Sequence, residues 1–398
     1  MPPRQVTNPA PAVANAWLLL AVSCTAFAAL CAAHGLPMAD ALVYRAAGSA
    51  VADGRDLYGF AVTEWELPAT YPPFAALLFV PTAWLPPTVL KAAFLVGNIA
   101  LVAVLVHLSC RLAGLPTRVG PLCAATALAL WLEPVFQTVL FGQVNLALAC
   151  LVLWDLTRPP GAPGKGLALG VAAGIKLTPA FFIAYLLVTR RTRDAATATA
   201  AFAATVLVGA LALPAASVDF WTRRLYETER VGKAWIVDNQ SLQGLAARAL
   251  HTPEPGPAWA LPAVAVAALG LWLAARATTP ARGVLAAAGT ALLVSPISWS
   301  HHWVWCVPLL AVLIAERRGR LAAGVAGVFV ARTLWLVPHE GPLDLHLPWW
   351  HQPLASPYPL LALGLLSIAL RARPQTPDGL NSSRTKPGHA SRVGRIDS

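Results

Sequence analysis

Long apolar runs separated by short polar segments make up most of this 398-residue chain. A helix needs roughly 17 to 25 mainly apolar residues to cross a bilayer, and the first run, at 16–33, is long enough. The other runs lie at about 72–86, 88–112, 119–133, 143–157, 166–189, 195–214, 257–275, 283–299, 302–316, 321–337 and 357–370. We therefore predict an all-α polytopic membrane protein with about 10 to 13 transmembrane or re-entrant helices.

Several of these runs are too short to span, and proline interrupts others, as at Pro72-Pro73 and Pro86-Pro87. Short or broken helices are stable at membrane depth only where they pack inside protein or line a polar cavity. The stretches 166–175 and 178–189, hinged just before Pro179, are the candidates for a re-entrant pair. Strict alternation of spans does not bring every basic loop of this half of the chain to one side, which favours at least one re-entrant segment.

The polar segment at 34–71 is acidic and follows the first helix, so we predict that it lies outside the membrane. Residues 38–52 have helical spacing with an apolar and a polar side, which predicts an amphipathic helix at the interface, ended by Gly54.

Composition supports the membrane assignment, because 57% of the residues are hydrophobic and only 12% are charged. Soluble domains carry about 25% charged residues. The net charge of +11 does not form a basic stripe with interleaved aromatics, so nucleic-acid binding is excluded as a main function. The basic residues lie instead in short segments that the positive-inside rule assigns to the cytoplasm. They are Arg158 and Lys165; Arg190, Arg191 and Arg193; Arg276 and Arg282; Arg317, Arg318 and Arg320; and the tail from Arg371.

The predicted layout has three parts. Residues 1–15 form a cytoplasmic N-terminus, with the first helix retained and not cleaved as a signal peptide. Residues 16–371 form the membrane domain, with outer loops at 34–71, 215–256 and 338–356. Residues 372–398 form a disordered basic cytoplasmic tail. The six cysteines lie in or beside apolar runs without metal-like spacing, which predicts free buried thiols.

Polar residues near the ends of apolar runs are the candidates for chemistry. Asp40 lies just beyond the first helix, where it is either an ordinary charge of a helix start or a general base for a hydroxyl. The adjacent His301 and His302 lie between tryptophans where a run reaches the outer face. They fit an interfacial belt or a ligand-binding and proton-handling site, and the spacing does not predict a metal site.

Lys176 is flanked by apolar sequence, so its ammonium either extends to the interface or meets an anion such as a lipid phosphate. Gln143 and Asn145 begin an apolar run, where their amides cap a helix or bind sugar hydroxyls. Tyr71, Asn239 and Gln240 allow the same two interpretations.

These polar residues belong to short segments distributed along roughly residues 16–370. The segments are Asp40-Ala41-Leu42-Val43-Tyr44; Gly54 through Leu57-Tyr58-Gly59; Tyr71-Pro72-Pro73-Phe74; Gly142-Gln143-Val144-Asn145; Lys176-Leu177-Thr178-Pro179; Asn239-Gln240-Ser241-Leu242; and Ser295-Pro296-Ile297-Ser298-Trp299-Ser300-His301-His302. Each is weak alone, but their order resembles glycosyltransferase family 87, the actinobacterial polyprenol-phosphate-mannose-dependent α-mannosyltransferases with the GT-C membrane fold.

The resemblance implies an enzyme that moves a mannosyl or other hexosyl unit from a polyprenyl-phosphate donor to a lipid or glycolipid acceptor on the outer face, with inversion to an α-linkage. It implies that Asp40 is the catalytic base and that Lys176, His301 and His302 face the leaving phosphate, with a histidine preferred. The further candidates for substrate contact are Tyr44, Arg45, Tyr71, Gln143, Asn145, Asn239, Gln240, Ser298 and Trp299.

No DxD motif for a sugar nucleotide and its metal is present, so we expect neither metal nor cofactor. A monomer is expected. Two alternatives stay open at this point: a lipid or small-solute transporter, which broken helices and an intramembrane lysine also suit, and a transferase of the same fold for a different sugar.

Overall fold

The computed structural model describes residues 10–338 and 341–371, so the tail predicted to be disordered lies outside the described residues. In chain order the α-helices are α1 (Ala10–His34), α2 (Ala39–Ala52), α3 (Pro73–Ala83), α4 (Pro87–Ala113), α5 (Val119–Ala129), α6 (Glu133–Phe141), α7 (Asn145–Thr157), α8 (Leu167–Ile175), α9 (Phe181–Val188), α10 (Thr192–Ala212), α11 (Pro214–Asp219), α12 (Leu242–Ala249), α13 (Pro257–Ala275), α14 (Pro280–Val294), α15 (Cys306–Ala315), α16 (Gly319–Ala331), α17 (Gln352–Ala355) and α18 (Pro357–Arg371).

Single turns and one small hairpin connect these helices. The 3₁₀ turns are Thr178–Ala180, Thr228–Arg230, Ser300–Trp305, Thr333–Leu336, Gly341–His346 and Trp349–His351, and Phe220–Arg224 is a π-helical turn. The antiparallel strands β1 (Ala61–Val62) and β2 (Leu67–Pro68) pair within the segment 34–71, where the sequence predicted no strand.

The structure confirms an all-α polytopic membrane protein. Within the described residues, α1, α4, α10, α13 and α16 are long and apolar enough to cross a membrane, the last together with the turn to Leu336. Two bent pairs, α5 with α6 at 77° and the 349–355 segment with α18 at 79°, raise that number to seven if each is one span. Five shorter apolar helices complete the set, so the predicted 10 to 13 segments divide into full spans, bent pairs and short helices.

In the part of the chain that the structure describes, the five helices long enough to span lie at the periphery of the protein, since only 17 to 28% of the most apolar 18-residue stretch of each is buried inside the protein. Large apolar side chains such as Leu211 and Leu261, which are 75% and 71% exposed, point away from the fold. Apolar surface on this scale is stable against lipid and not against water.

The predicted hinge near Pro179 is a real break in the chain. Helix α8 ends at Ile175, Lys176 is extended at φ −147° and ψ 132°, and a 3₁₀ turn begins at Thr178. The two sharply bent pairs lie elsewhere, so whether residues 166–189 re-enter the membrane stays a prediction.

Two glycines allow the close contacts that position α2. A Cβ atom at Gly48 would lie 2.3 Å from the carbonyl oxygen of Phe79, so α2 and α3 meet backbone to backbone. Gly142 turns the chain from α6 to α7 at φ +68°, a left-handed conformation that glycine adopts without strain. A Cβ there would lie 2.8 Å from Met38 Sδ and from Ala41 Cβ. The start of α7 therefore packs tightly on the first turn of α2.

The sequence predicted the helix at 38–52 and the free cysteines. Helix α2 occupies Ala39–Ala52, and all six cysteines are free, four of them buried. The placement of α2 at the membrane surface stays a prediction, as does the side of the membrane on which each loop lies.

Candidate active site

A polar centre forms where the first turn of α2 meets the start of α7. Asp40 and Tyr44 lie four residues apart on α2 and therefore share one face of the helix. The Gln143 side chain hydrogen-bonds the Asp40 carboxylate, and its Oε1 accepts from the Tyr44 hydroxyl at 3.0 Å. The Tyr71 hydroxyl donates to the same oxygen at 3.2 Å. One amide thus orders a carboxylate and two phenols.

Lys176 supplies the positive charge of this centre. Its Nζ donates to Asn145 Oδ1 at 2.9 Å, lies 2.9 Å from His302 Nε2 and lies 5.4 Å from the centroid of the Tyr71 ring. The extended backbone at the end of α8 projects the side chain toward α7 and the 300–305 turn. The ammonium is therefore held inside the protein by an amide oxygen, an imidazole nitrogen and the face of an aromatic ring, all of which stabilise a cation.

The environment of Asp40 suits a base. Burial raises the pKa of Asp40 to about 6, while the ammonium of Lys176 and the hydrogen bond from Gln143 limit the rise. The carboxylate form therefore still predominates at neutral pH, and its basicity is higher than that of a solvated aspartate. A general base works best when its pKa approaches the working pH.

The histidine pair is held by its backbone. The His301 carbonyl accepts from the Thr138 hydroxyl at 2.9 Å and from the Asn145 amide at 3.3 Å. The two imidazoles lie 4.9 Å apart, edge to face. Within the described residues, His301 Nε2 and His302 Nδ1 are buried without a hydrogen-bond partner. Buried polar atoms normally have one, so both nitrogens are free to contact a ligand.

A cavity of about 50 Å³ opens next to this centre. His302 and Asn145 form its polar end, and side chains of α7, α9 and α14, among them Leu148, Phe182 and Leu292, form apolar walls. The lining therefore combines polar and apolar side chains, although the cavity is smaller than the roughly 300 to 1,000 Å³ of a typical ligand pocket.

Two of the predicted sugar-binding amides are used inside the protein. Asn239 donates to the carbonyls of Ala234 and Pro296, and its Oδ1 accepts from the Ser298 backbone at 2.9 Å. Gln240 donates to two backbone carbonyls and accepts from a third residue, and both amides are fully buried. These contacts favour a role in positioning the chain before the histidines over contact with a sugar.

The other candidates lie around this framework. Arg45 donates to the Leu85 carbonyl at 3.1 Å, and Trp299 packs against Gly232. Ser298 is buried, and within the described residues its hydroxyl has no partner. Substrate contact by Arg45, Ser298 and Trp299 stays a prediction.

Two further buried polar side chains, Glu133 and Arg248, were not predicted from the sequence. Glu133, at the start of α6, is fully buried and accepts from the Tyr358 hydroxyl at 2.5 Å. Arg248 is also fully buried and donates to the backbone carbonyls of Ile236 and Asn239. A carboxylate within an apolar stretch is rare enough to have marked Glu133 as a candidate.

The fold and the site together define a multi-pass membrane protein with a polar centre in which the Asp40 carboxylate interacts electrostatically with Lys176, and Lys176 contacts His302. The chain belongs to glycosyltransferase family 87, whose family model matches residues 69–296. It is therefore an enzyme, and the assignment confirms the resemblance and favours the transferase over the transporter alternative. Asp40 and the histidine pair lie outside the matched range.

Relatives extend the match over most of the chain. It is 34% identical, in an alignment of 388 positions that covers 89% of each chain, to a polyprenol-phosphate-mannose-dependent α-(1-2)-phosphatidylinositol mannoside mannosyltransferase of Mycobacterium tuberculosis. The protein of that name from Mycolicibacterium smegmatis is 33% identical, over 88% of this chain and 86% of its own. A phosphatidylinositol pentamannoside mannosyltransferase of M. tuberculosis is 34% identical, with coverage of 87% and 85%. No solved structure shows significant similarity to this chain.

Proposed function

We propose that this protein transfers a mannosyl unit from polyprenol-phosphate mannose to a phosphatidylinositol mannoside or a related glycolipid, with inversion to an α-mannoside. The names of its relatives support the donor and the acceptor. The observation that carries the proposal is the placement of Lys176 between Asn145 and His302, within electrostatic range of Asp40. That arrangement sets a base opposite a cation, as displacement of a phosphate requires.

The reaction follows from these charges. Asp40 accepts the proton of the acceptor hydroxyl as its oxygen attacks the anomeric carbon of the donor. The bond from that carbon to the phosphate oxygen breaks, and the polyprenyl phosphate leaves with the electron pair. Lys176 and His302 stabilise the charge that develops on the phosphate, so no general acid is needed. The proton on Asp40 is then released to solvent.

The neutral groups of the centre orient these reactants. Gln143 fixes the Asp40 carboxylate, and the hydroxyls of Tyr44 and Tyr71 converge on the same amide. Attack with inversion requires the acceptor oxygen and the leaving oxygen on opposite sides of the anomeric carbon. We assign the carboxylate on α2 to the side of the acceptor oxygen and the cation at the end of α8 to the side of the leaving oxygen.

The apolar residues around the cavity beside His302 are the proposed contact surface for the first isoprene unit of the donor, and the cavity, at about 50 Å³, has to widen to admit it. Its apolar walls suit hydrocarbon, and its polar end places the donor phosphate beside Lys176. The remainder of the long prenyl chain would extend between helices into lipid.

We propose that the site faces the outer side of the membrane. The basic segments at 190–193, 276–282 and 316–320 favour the cytoplasmic side under the positive-inside rule. His301 and His302 follow α14, at the end opposite the basic segment 276–282 if that helix crosses the membrane. Asp40 follows α1, at the end opposite the N-terminus that we expect in the cytoplasm.

Purified protein in lipid nanodiscs, incubated with radiolabelled polyprenol-phosphate mannose and phosphatidylinositol mannosides, tests the proposal. We expect a labelled glycolipid from which α-mannosidase releases the label. Polyprenyl-phosphate glucose serves as the matched donor control. Transfer from glucose and not from mannose would overturn the sugar, and no transfer from either donor would overturn the proposed function.

A further inference from the structure

The buried carboxyl of Glu133 lies directly beneath the turn that carries the histidine pair. Glu133 and Tyr358 are both fully buried and share a 2.5 Å hydrogen bond. The side chain of Ser300, the first residue of the 300–305 turn, hydrogen-bonds the same carboxyl. The turn is thus tied by its first residue to a carboxyl inside the apolar interior.

A second contact joins α6 to the same turn. Thr138, five residues beyond Glu133, donates its hydroxyl to the His301 carbonyl at 2.9 Å. One helix therefore holds Ser300 by its side chain and His301 by its backbone. The next residue, His302, places its Nε2 2.9 Å from Lys176 Nζ. A shift of α6 relative to the turn would change that distance directly.

Stability alone does not explain a carboxyl at this place. Burying an acidic group costs free energy that hydrogen bonds recover only in part, and apolar replacements of buried ionic groups are often neutral or stabilising. The nearest cation, Arg332, stacks on the rings of Phe136 and Trp335 at 4.1 and 4.6 Å from their centroids and forms no ion pair with Glu133 within the described residues. A costly group in direct contact with the element that carries His302 is better explained by positioning.

We infer that Glu133 and Tyr358 are positioning residues for the transfer reaction: through Ser300 they fix the 300–305 turn so that His302 and Lys176 together bind the donor phosphate. Neither residue touches substrate. The inference rests on the proposed function, since it assigns the phosphate to that pair. Displacement of a catalytic group by about 1 Å is enough to cost on the order of 10²-fold in rate.

Four variants of the full-length protein test this inference: Glu133→Ala, Glu133→Gln, Tyr358→Phe and Ser300→Ala. We expect Glu133→Ala to lower kcat about 10- to 100-fold per folded molecule and to weaken binding of a short-chain polyprenyl phosphate about 10-fold. Glu133→Gln should restore both to within about threefold, because its amide still accepts from Tyr358 and bonds Ser300.

Asp155→Asn is the matched control. Asp155 is a buried carboxylate that accepts from the backbone N–H groups of Gly166 and Leu169 at 2.7 and 3.0 Å. Its loss should lower the melting temperature while kcat per folded molecule stays unchanged. If Glu133→Ala behaves in the same way, with normal kcat and normal phosphate binding, the positioning role is wrong.

The less disruptive variants decide the question if Glu133→Ala does not fold. Tyr358→Phe and Ser300→Ala each remove one hydrogen bond, and each should lower kcat about 3- to 10-fold without a matching loss of folded protein. Wild-type kcat in both would overturn the inference. If the wild type binds polyprenyl phosphate but transfers no sugar, the proposed function fails, and the binding comparison alone still decides the role of Glu133.

Discussion

Replacing Lys176 by methionine removes the only positive charge that directly contacts the polar centre in the described residues, at nearly constant side-chain length. The ammonium contacts Asn145 and His302, and among the residues that the structure describes no carboxylate forms a salt bridge with it. Its charge is therefore available to a bound phosphate. Methionine keeps the apolar stem against the Tyr71 ring, so the variant tests charge more than packing.

The size of the effect follows from this geometry. At about 4 Å, and with an effective dielectric constant of about 20, two unit charges attract by about 4 kcal/mol. Removal of one preorganised donor from an oxyanion site costs about 2.7 to 4 kcal/mol, which is about 10² to 10³ in kcat. Because the two figures agree, we expect Lys176→Met to lower kcat by about 10² to 10³.

The same variant carries a second signature. The ammonium of Lys176 lowers the pKa of Asp40, which burial raises to about 6. Without Lys176 that pKa rises further. The acidic limb of the pH–rate profile, where the base becomes protonated, should therefore move to higher pH.

Initial rates of mannosyl transfer in nanodiscs between pH 5 and 9 measure both effects. The matched control is Lys165→Met, since Lys165 is a buried lysine that donates to the carbonyls of Arg158 and Pro159 in its own loop. The control should keep the wild-type limb and a rate within about threefold. A Lys176→Met enzyme with wild-type kcat would show that Lys176 does not stabilise the leaving phosphate, and a lower kcat without movement of the limb would show that Lys176 does not lower the pKa of Asp40.

Three further predictions use other parts of the site. In the wild type, kcat/KM should fall as pH drops through about 6, because protonated Asp40 cannot accept a proton, and a flat profile across that range would contradict the base. Gln143→Leu should lower kcat about 10-fold and move the limb to higher pH, because the hydrogen bond from Gln143 lowers the pKa of Asp40; an unmoved limb would contradict the contact. Gly48→Leu should lower the melting temperature, because a side chain there meets the Phe79 carbonyl and overpacking costs about 1 to 3 kcal/mol. The control Gly97→Leu, on α4 where a Cβ meets nothing within 4 Å, should unfold close to the wild type, and equal melting of the two variants would contradict the close approach of α2 and α3.

Much of the architecture could be predicted because membrane depth restricts the backbone to helices. The helical spacing of apolar residues was enough to predict α2, and the position of Pro179 was enough to predict the break after Ile175. The angles between consecutive helices were not predictable. The apolar run at 119–133 leads into α6, yet the two helices meet at 77°, because hydropathy reports composition and not the angle at a bend.

The reacting residues could be predicted for a related reason. A lysine, a carboxylate or paired histidines near an apolar run are costly, so each is a candidate for function before any distance is known. Lys176 and His302 illustrate this, since the structure places two polar groups that are 126 residues apart in sequence at 2.9 Å.

Neutral amides carry no such signal. The amide of Gln143 orders the polar centre, whereas that of Asn239 bonds backbone carbonyls, and both look alike in sequence. The Glu133–Tyr358 contact joins residues 225 positions apart and depends wholly on tertiary packing.

The proposed reaction depends first on Asp40 as the catalytic base, and the variant Asp40→Asn tests that role. The asparagine is isosteric and keeps an oxygen for Gln143, but it cannot accept the proton of an acceptor hydroxyl. We expect a loss of about 10² to 10⁴ in kcat with donor binding retained, as for loss of a general base. Asp56→Asn, at an exposed carboxylate in the same segment, 34–71, is the matched control and should transfer within about twofold of the wild-type rate. If the Asp40→Asn protein transfers mannose at the wild-type rate, Asp40 is not the catalytic base.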